Sequence, residues 1–386
     1  MATGYSPLML DVAWLELLRG AFAPRRRWPP LSQPTDFVTL SVRSALDLLL
    51  RAKAYPRGSV ALVSALTIPD IERVLQHHGL VVKAVDVVPS TMGVSEEELS
   101  DMLAAERPVC CIVAHVWGRI NSLDTVAREC AAHGCMLIED LAESFCPHYD
   151  GHPDADVVCW SHGTIKTATA FGGGVVRVRD DALRTAMLAL LARDPVQPTL
   201  PYVSKFLKYM VLWVVLNTRL NAAARSVLTW LQVDFQTPVV AQLRGFAGKQ
   251  LITALRHRPC GALEGAVRRR RTTGVGHESL QRVATFRFAS VRGVVVPGLE
   301  CASSRFWLYP ILVDPARRDK VVATLNAEGI HAASDSTQLC SLGGPKAVAT
   351  MVAASVVYLP IHRLCSLNDI ARVAAVLKRS AAQPIE

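Results

Sequence analysis

The run Ile138-Glu139-Asp140-Leu141-Ala142-Glu143-Ser144 sets an acid at the carboxyl end of an apolar stretch. A second such stretch leads into Ser161-His162-Gly163-Thr164-Ile165-Lys166, followed by Phe171-Gly172-Gly173-Gly174. In open α/β sheets ligands bind at the carboxyl ends of strands, so an aspartate and a lysine placed there can converge. Pyridoxal 5'-phosphate chemistry needs that pair. A lysine amine forms the Schiff base, and an acid holds the pyridinium nitrogen protonated so that the ring acts as an electron sink. Hydroxyls and backbone N–H groups at helix starts serve the phosphate. The chain has nine lysines against 33 arginines, so a lysine retained in an apolar, glycine-rich loop is informative. The same residues also fit a blander reading, in which Asp140 caps a helix, Lys166 is a surface lysine and the glycines make a turn.

The elements around these residues alternate. Strands are expected at Val60–Ser64, Val81–Val88, Val109–His115, Cys135–Glu139, Ala155–Trp160 and Val175–Val178. Helices are expected at Ser44–Ala54, Ile68–His78, Glu96–Ala105 and Asp124–Ala132, two of them ended by Gly79 and Gly134. Apolar, β-branched strands alternating with helices predict a largely parallel sheet buried on both faces. Residues 182–231 look helical and very apolar, and 244–282 helical and very basic. Beyond Val294 the alternation returns, with strands at Phe306–Val313 and Val356–Leu359 and helices at Asp319–Glu328 and Leu367–Arg379.

With 386 residues, 51% apolar and 19% charged, the chain is long enough to bury a large core and is neither disordered nor collagenous. Its ten cysteines contain no C-x-x-C, so they are expected to be buried free thiols in a reducing compartment. No metal site is expected: His77, His78, His148 and His152 lack ligand spacing and read as surface or loop histidines. The first eighteen residues carry Asp11 and Glu16 and no signal-peptide pattern, which points to the cytoplasm. The formal charge is +9, yet residues 199–271 alone carry twelve cations against Asp234 and Glu264. The remainder is therefore close to neutral. Arg268–Arg271 reads as a solvated helix face or a site for phosphates or lipid headgroups. Nucleic acid is not expected, because no binding motif accompanies the run. The apolar stretch 200–231 is too interrupted by Lys205, Lys208, Arg219 and Arg225 to span a bilayer. It reads as a buried core or dimer helix, or as an interfacial helix on an anionic membrane.

From about residue 37 to 180 the chain resembles the DegT-type family of pyridoxal-phosphate sugar aminotransferases, of fold type I. The resemblance rests on Arg43-Ser44-Ala45-Leu46, His115-Val116-Trp117-Gly118, Glu139-Asp140-Leu141-Ala142 and the step from Ser161 to Lys166. It continues in Phe306-Trp307-Leu308-Tyr309-Pro310 and Val357-Tyr358-Leu359-Pro360-Ile361-His362. It implies Lys166 as the Schiff-base lysine and proton shuttle, and Asp140 as partner of the pyridine nitrogen. Ser161 and Ser44 would bind the phosphate, with Arg43 adding charge. Glu143 stands where many members carry a Gln or His near the ring hydroxyl. Ile68 stands where many stack an aromatic ring, and an isoleucine covers a ring without stacking.

The resemblance further implies a homodimer and an α/β chain with a large cofactor-binding domain and a smaller C-terminal α/β domain. The expected division is an arm at 1–35, a large domain at 36–245 with an apolar helical insertion near 199–231, and a small domain at 246–386. The expected reaction moves an amino group from an amino-acid donor, glutamate, to a keto group of a nucleotide-linked sugar. Because Lys166 is present, the dehydratase branch that replaces it is disfavoured. Two other readings stay open: a lipid-linked or hydrophobic carbonyl at a membrane surface, and a non-catalytic membrane-associated scaffold or regulator. In either, contact would run through 200–231 on the inner face of a membrane.

Overall fold

The computed structural model describes Val12 and residues 14–217, 250–271, 278–301, 305–335, 337–344, 346–362 and 365–381. Seven strands build one sheet: β1 (Asp36–Thr39), β2 (Val60–Ser64), β4 (Val81–Val85), β5 (Cys110–Ala114), β6 (Met136–Leu141), β7 (Val157–Ser161) and β8 (Gly174–Val178). The short β3 (Leu66–Thr67) lies outside it. The order is β1-β8-β7-β6-β5-β2-β4, with β4, β2, β5, β6 and β7 parallel, β8 antiparallel to them, and β1, paired antiparallel with β8, running in their direction. Ala61, Leu62, Val63, Val158, Val175 and Val176 have no exposed surface. Strands covered on both faces must be apolar throughout, and β-branched residues suit the pleat, which is why these runs were legible.

Helices α1 (Trp14–Phe22), α2 (Val42–Lys53), α3 (Pro69–His77), α4 (Glu96–Glu106), α5 (Asp124–Ala132) and α6 (Asp181–Arg193) precede the long α7 (Thr199–Asn217). Then come α8 (Leu251–Leu255), α9 (Gly261–Arg271) and α10 (Glu278–Ala289). The C-terminal part pairs β9 (Tyr309–Leu312) with β11 (Val356–Leu359) and adds α11 (Arg318–Ala327), β10 (Cys340–Ser341), α12 (Ala347–Ser355) and α13 (Leu367–Ser380). β1, the β3–β10 pair and α12 escaped the sequence reading, the strands because they are only four and two residues long.

The long helical reading of 182–231 is corrected by a break at Asp194–Pro198, where Asp194 accepts two hydrogen bonds from Arg51 at 2.8 and 3.0 Å. Residues 218–231 of that stretch, and 244–249 and 272–277 of the basic one, lie outside the described residues. On α7, Tyr202, Phe206 and Tyr209 are buried, while Leu200, Leu207 and Met210 are exposed. Among the described residues no helix is long and apolar enough to cross a membrane.

The arginine run is corrected too. Arg270 is 1% exposed and Arg271 8%, so the end of α9 is not a solvated face. The burial follows from an unusually close crossing of α1 and α9. A Cβ on Gly265 would stand 2.1 Å from the Gly20 carbonyl oxygen, and one on Gly20 would stand 2.6 Å from that of Gly265. Only glycine at both positions permits this approach, and Arg269 closes it with a 2.5 Å bond to Glu16. The ten cysteines are free thiols, though Cys146, Cys301 and Cys340 are half-buried. His152 is not a surface residue: it is 6% exposed and bonds Asp124 through Nε2 at 3.1 Å.

Candidate active site

The carboxyl ends of the parallel strands surround a cavity of about 90 Å³. Six of the seven expected site residues line it: Arg43, Ile68, Asp140, Glu143, Ser161 and Lys166. Ser44 does not. The helix expected from Ser44 begins two residues earlier, with Ser41 as its N-cap, and the Ser44 amide donates to Ser41 Oγ at 3.0 Å. Ser41, Val42 and Arg43 therefore face the cavity, while the Ser44 hydroxyl lies behind, 3.0 Å from that of Ser41. The start of α2 reaches this position because β8 begins with glycine. A Cβ on Gly174 would stand 2.9 Å from both the Ser41 carbonyl carbon and the Val42 nitrogen. A helix N-terminus with a hydroxyl and a cation beside it is an anion site. Arg43 is also ion-paired with Asp70 at the start of α3.

Asp140 is the penultimate residue of β6, in the middle of the sheet, opposite Ala114 of β5 and Cys159 of β7. Burial pushes its carboxyl up to about 6, against the opposing pull of the Ala142 amide, which donates to Oδ1 at 2.8 Å. Its neighbour Glu139 behaves in the opposite way. Burial raises it too, but hydrogen bonds from His115, the His152 amide and Tyr149 hold it below the usual carboxylate range. His115, also on the cavity wall, accepts the Asn121 amide at Nδ1, which leaves Nε2 to donate to Glu139 at 3.1 Å. Alternation along one strand thus separates two adjacent acids, one satisfied and one short of a cation.

Lys166 sits in the loop between β7 and β8, and that loop is held on all sides. His162 donates its Nδ1–H to the Ala168 carbonyl at 2.8 Å, and its own carbonyl accepts from the Ala170 and Gly172 amides. Arg270 reaches the Thr169 carbonyl at 3.0 Å, Tyr202 the Ala170 carbonyl at 2.8 Å, and Trp307 the Ile165 carbonyl at 2.7 Å. Burial lowers the Lys166 amine below the usual lysine range, and Arg43 adds to this. Glu143, whose Oε1 accepts from Nζ at 3.3 Å, and Asp140 pull the other way. His162 is so deeply buried that it is pushed down to about 3 and stays neutral. The opposite wall is Thr67, Ile68 and Ile71, with Leu339 brought in by the pairing of β3 with β10.

Ser41, His115, Trp307, Leu339 and Arg270 were missed as site residues. Ser41 carried a signal, since a serine directly before the apolar helical run is an N-cap pattern. His115 and Trp307 lay inside motifs already noted, and nothing local assigned them a role. The donor set accommodates a ring with a basic nitrogen and an anionic tail. A cationic N–H would supply the partner that Asp140 lacks, and the start of α2 with Ser161 would take the anion.

The matches to known proteins agree with this geometry. The curated relative GDP-perosamine synthase of Caulobacter vibrioides is 26% identical over 162 residues, covering 41% of this chain and 43% of that protein. The match thus spans less than half the length of the relative. Among solved structures, the aminotransferase TlmJ from Streptoalloteichus hindustanus superposes with a TM-score of 0.63 at 17% identity, covering 99% of both chains. The E coli GDP-4-keto-6-deoxy-D-mannose-3-dehydratase with bound hydrated PLP gives 0.68 at 14% identity, covering 97% of this chain and 99% of that one. At such identities the structures establish a shared fold, a mostly parallel sheet flanked by helices. Residues 37–228, which hold every residue of the cavity wall except Leu339, match the DegT/DnrJ/EryC1/StrS aminotransferase family.

Proposed function

We propose that this protein is a pyridoxal-phosphate-dependent aminotransferase that moves an amino group from glutamate to a keto group of a nucleotide-linked sugar. The observation that carries the reading is one cavity bringing together Lys166, Asp140 and the start of α2. When bound, pyridoxal phosphate supplies an aldehyde that takes up the amine and a ring that draws electrons from the adjacent carbon. Asp140 would hold the ring nitrogen as N–H, which satisfies a carboxylate otherwise buried without a full charge partner. Ser41, Ser161, Arg43 and the first amides of α2 would hold the phosphate. Lys166, its basicity lowered by burial, would carry the proton to and from the reacting carbon. Ile68 would cover the ring without stacking on it. Glu143 keeps the Lys166 amine oriented through its 3.3 Å contact.

The sugar substrate is supported by relatives that act on nucleotide sugars by name, GDP-perosamine synthase and DesI, the latter solved in the presence of its TDP-sugar product. A homodimer and the three-part division at 35 and 245 belong to the same proposal. A hydrophobic or lipid-linked carbonyl is the second reading, favoured by the exposed apolar side of α7 beside the lysine loop. A non-catalytic scaffold would have no use for a buried lysine and a buried acid sharing a cavity.

Purified protein incubated with pyridoxal phosphate should absorb in the visible, and borohydride should fix the cofactor to Lys166 as seen by peptide mapping. Lys166→Ala should abolish the fixation. A protein that stays colourless and unlabelled would sink the proposal. Amino transfer from isotopically labelled glutamate to a nucleotide-linked keto sugar, with no transfer to the free sugar, then tests the acceptor.

A further inference from the structure

Two ring contacts fix how α1 and α7 lie together. Trp14 meets Trp213 at 6.3 Å and Phe22 meets Phe206 at 6.2 Å, so the helices run antiparallel, side by side. Their inner faces are accounted for. Trp14, Phe206 and Tyr209 close on Phe171, and Tyr202 bonds the carbonyl of Ala170 in the lysine loop. Their outer faces are not. Leu15 is 59% exposed and Phe22 62%, and these are seven residues apart on α1. Leu200 is 79% exposed and Leu207 71%, and these are seven apart on α7. Seven residues are close to two full turns, so each pair forms a stripe on its helix. Met210 widens the second stripe.

The cations around these stripes decide what covers them. Arg25, Arg26 and Arg27 form an exposed turn just beyond Phe22, Arg19 lies between Leu15 and Phe22, and Lys208 follows Leu207. The one acid on α1, Glu16, already receives bonds from Arg19 and Arg269. A second copy docking by a twofold axis would set this cationic face against itself, with no acid but Glu16 among the described residues of α1, the Arg25–Arg27 turn and α7 to answer it. An anionic bilayer answers both features, taking the apolar side chains into the interface and the cations among the headgroups. We propose that the outer face of α1, the Arg25–Arg27 turn and α7 docks on an anionic lipid surface, which places the Lys166 loop directly behind the docked helices. The inference is independent of the aminotransferase reading, because it uses no residue of the cavity.

The test is co-sedimentation of the whole protein with vesicles of phosphatidylcholine and phosphatidylglycerol, against vesicles of phosphatidylcholine alone. Binding to the anionic vesicles only, weakened by salt, is the expected result. The variant Arg25→Gln, Arg26→Gln, Arg27→Gln, altered only on an exposed turn, should lower the partition coefficient about a hundredfold. Leu207→Ser should lower it as well while leaving the melting temperature unchanged. Absence of sedimentation, or equal sedimentation with both vesicles, would overturn the proposal. So would a Leu207→Ser variant that binds vesicles normally but changes from dimer to monomer, since a second copy would then cover the face. The readout is lipid binding without cofactor, so its failure leaves the aminotransferase reading untouched.

Discussion

The Lys166 ammonium lies 3.8 Å from the centre of the Trp307 ring, whose indole N–H bonds the carbonyl of Ile165 at 2.7 Å. A residue from the C-terminal part thus covers the lysine of the large sheet and pins the residue before it. A cation over an indole face is favoured by about 0.5–2 kcal/mol, which supports the charged form of the amine. Trp307→Ala should therefore lower the Lys166 pKa further. Trp307→Phe keeps a ring face but loses the hydrogen bond, so it should leave the pKa nearer its starting value. The pH dependence of Lys166 labelling by an amine-reactive reagent in cofactor-free protein measures both. Equal labelling curves for the three proteins would remove Trp307 from this role.

Asp140 carries a pH signature. Its carboxyl is raised from 3.8 in the unfolded chain to about 6 in the fold, chiefly by burial. Between these values the native protein binds more protons than the unfolded chain, so stability falls as pH rises through that window. Two units correspond to about 3 kcal/mol. Asp140→Asn removes the buried charge, so the cofactor-free variant should be more stable than wild type at pH 7 and no more stable below about pH 4. Denaturation curves at both pH values decide it. The same variant should lose the cofactor's visible band, the usual exchange of stability for function.

Glu143 opposes the depression of Lys166. Glu143→Gln keeps the shape and removes the charge, so the lysine should lose its proton at lower pH than in wild type. The labelling curve should shift toward acid, and the acid limb of the transamination rate should move in the same direction. A curve shifted toward base would contradict the 3.3 Å contact as the source of the effect.

Arg270 and Arg268 sit two residues apart on α9 and should behave differently. Arg270 is buried on the Thr169 carbonyl, whereas Arg268 pairs with Glu264 at a half-exposed site. Arg270→Ala should cost about 3 kcal/mol in urea unfolding, because a buried polar contact and its packing are lost together. Arg268→Gln should cost about 0.5 kcal/mol or less.

At the crossing of α1 and α9, Gly265→Ala puts a methyl 2.1 Å from the Gly20 oxygen. The helix-propensity gain of about 1 kcal/mol is outweighed by the forced separation, for a net loss of about 2 kcal/mol or more. Thermal unfolding of the variant checks this, with Gly261→Ala as the control at a site whose nearest neighbour is 3.9 Å away.

The sequence by itself determined the sheet and the placing of an aspartate and a lysine near successive strand ends. Strands buried on both faces are long apolar runs, and glycine closes the helices between them. An aspartate and a lysine at successive strand ends have few structural reasons to be there. Tertiary structure decided what local patterns cannot carry. Ser41 displaced Ser44 because a glycine 133 positions later lets the helix start lie against β8. Arg270 became a support of the lysine loop because Gly265 and the distant Gly20 let α9 bury its end, though Arg270 stands in a run of four arginines. Leu339 reached the site through the pairing of β3 with β10, and Trp307 through the hydrogen bond its amide donates to the Trp117 carbonyl. Periodicity reports which side of an element faces the core. Which core element it meets is set by contacts distant in sequence, and those are not written in any single segment.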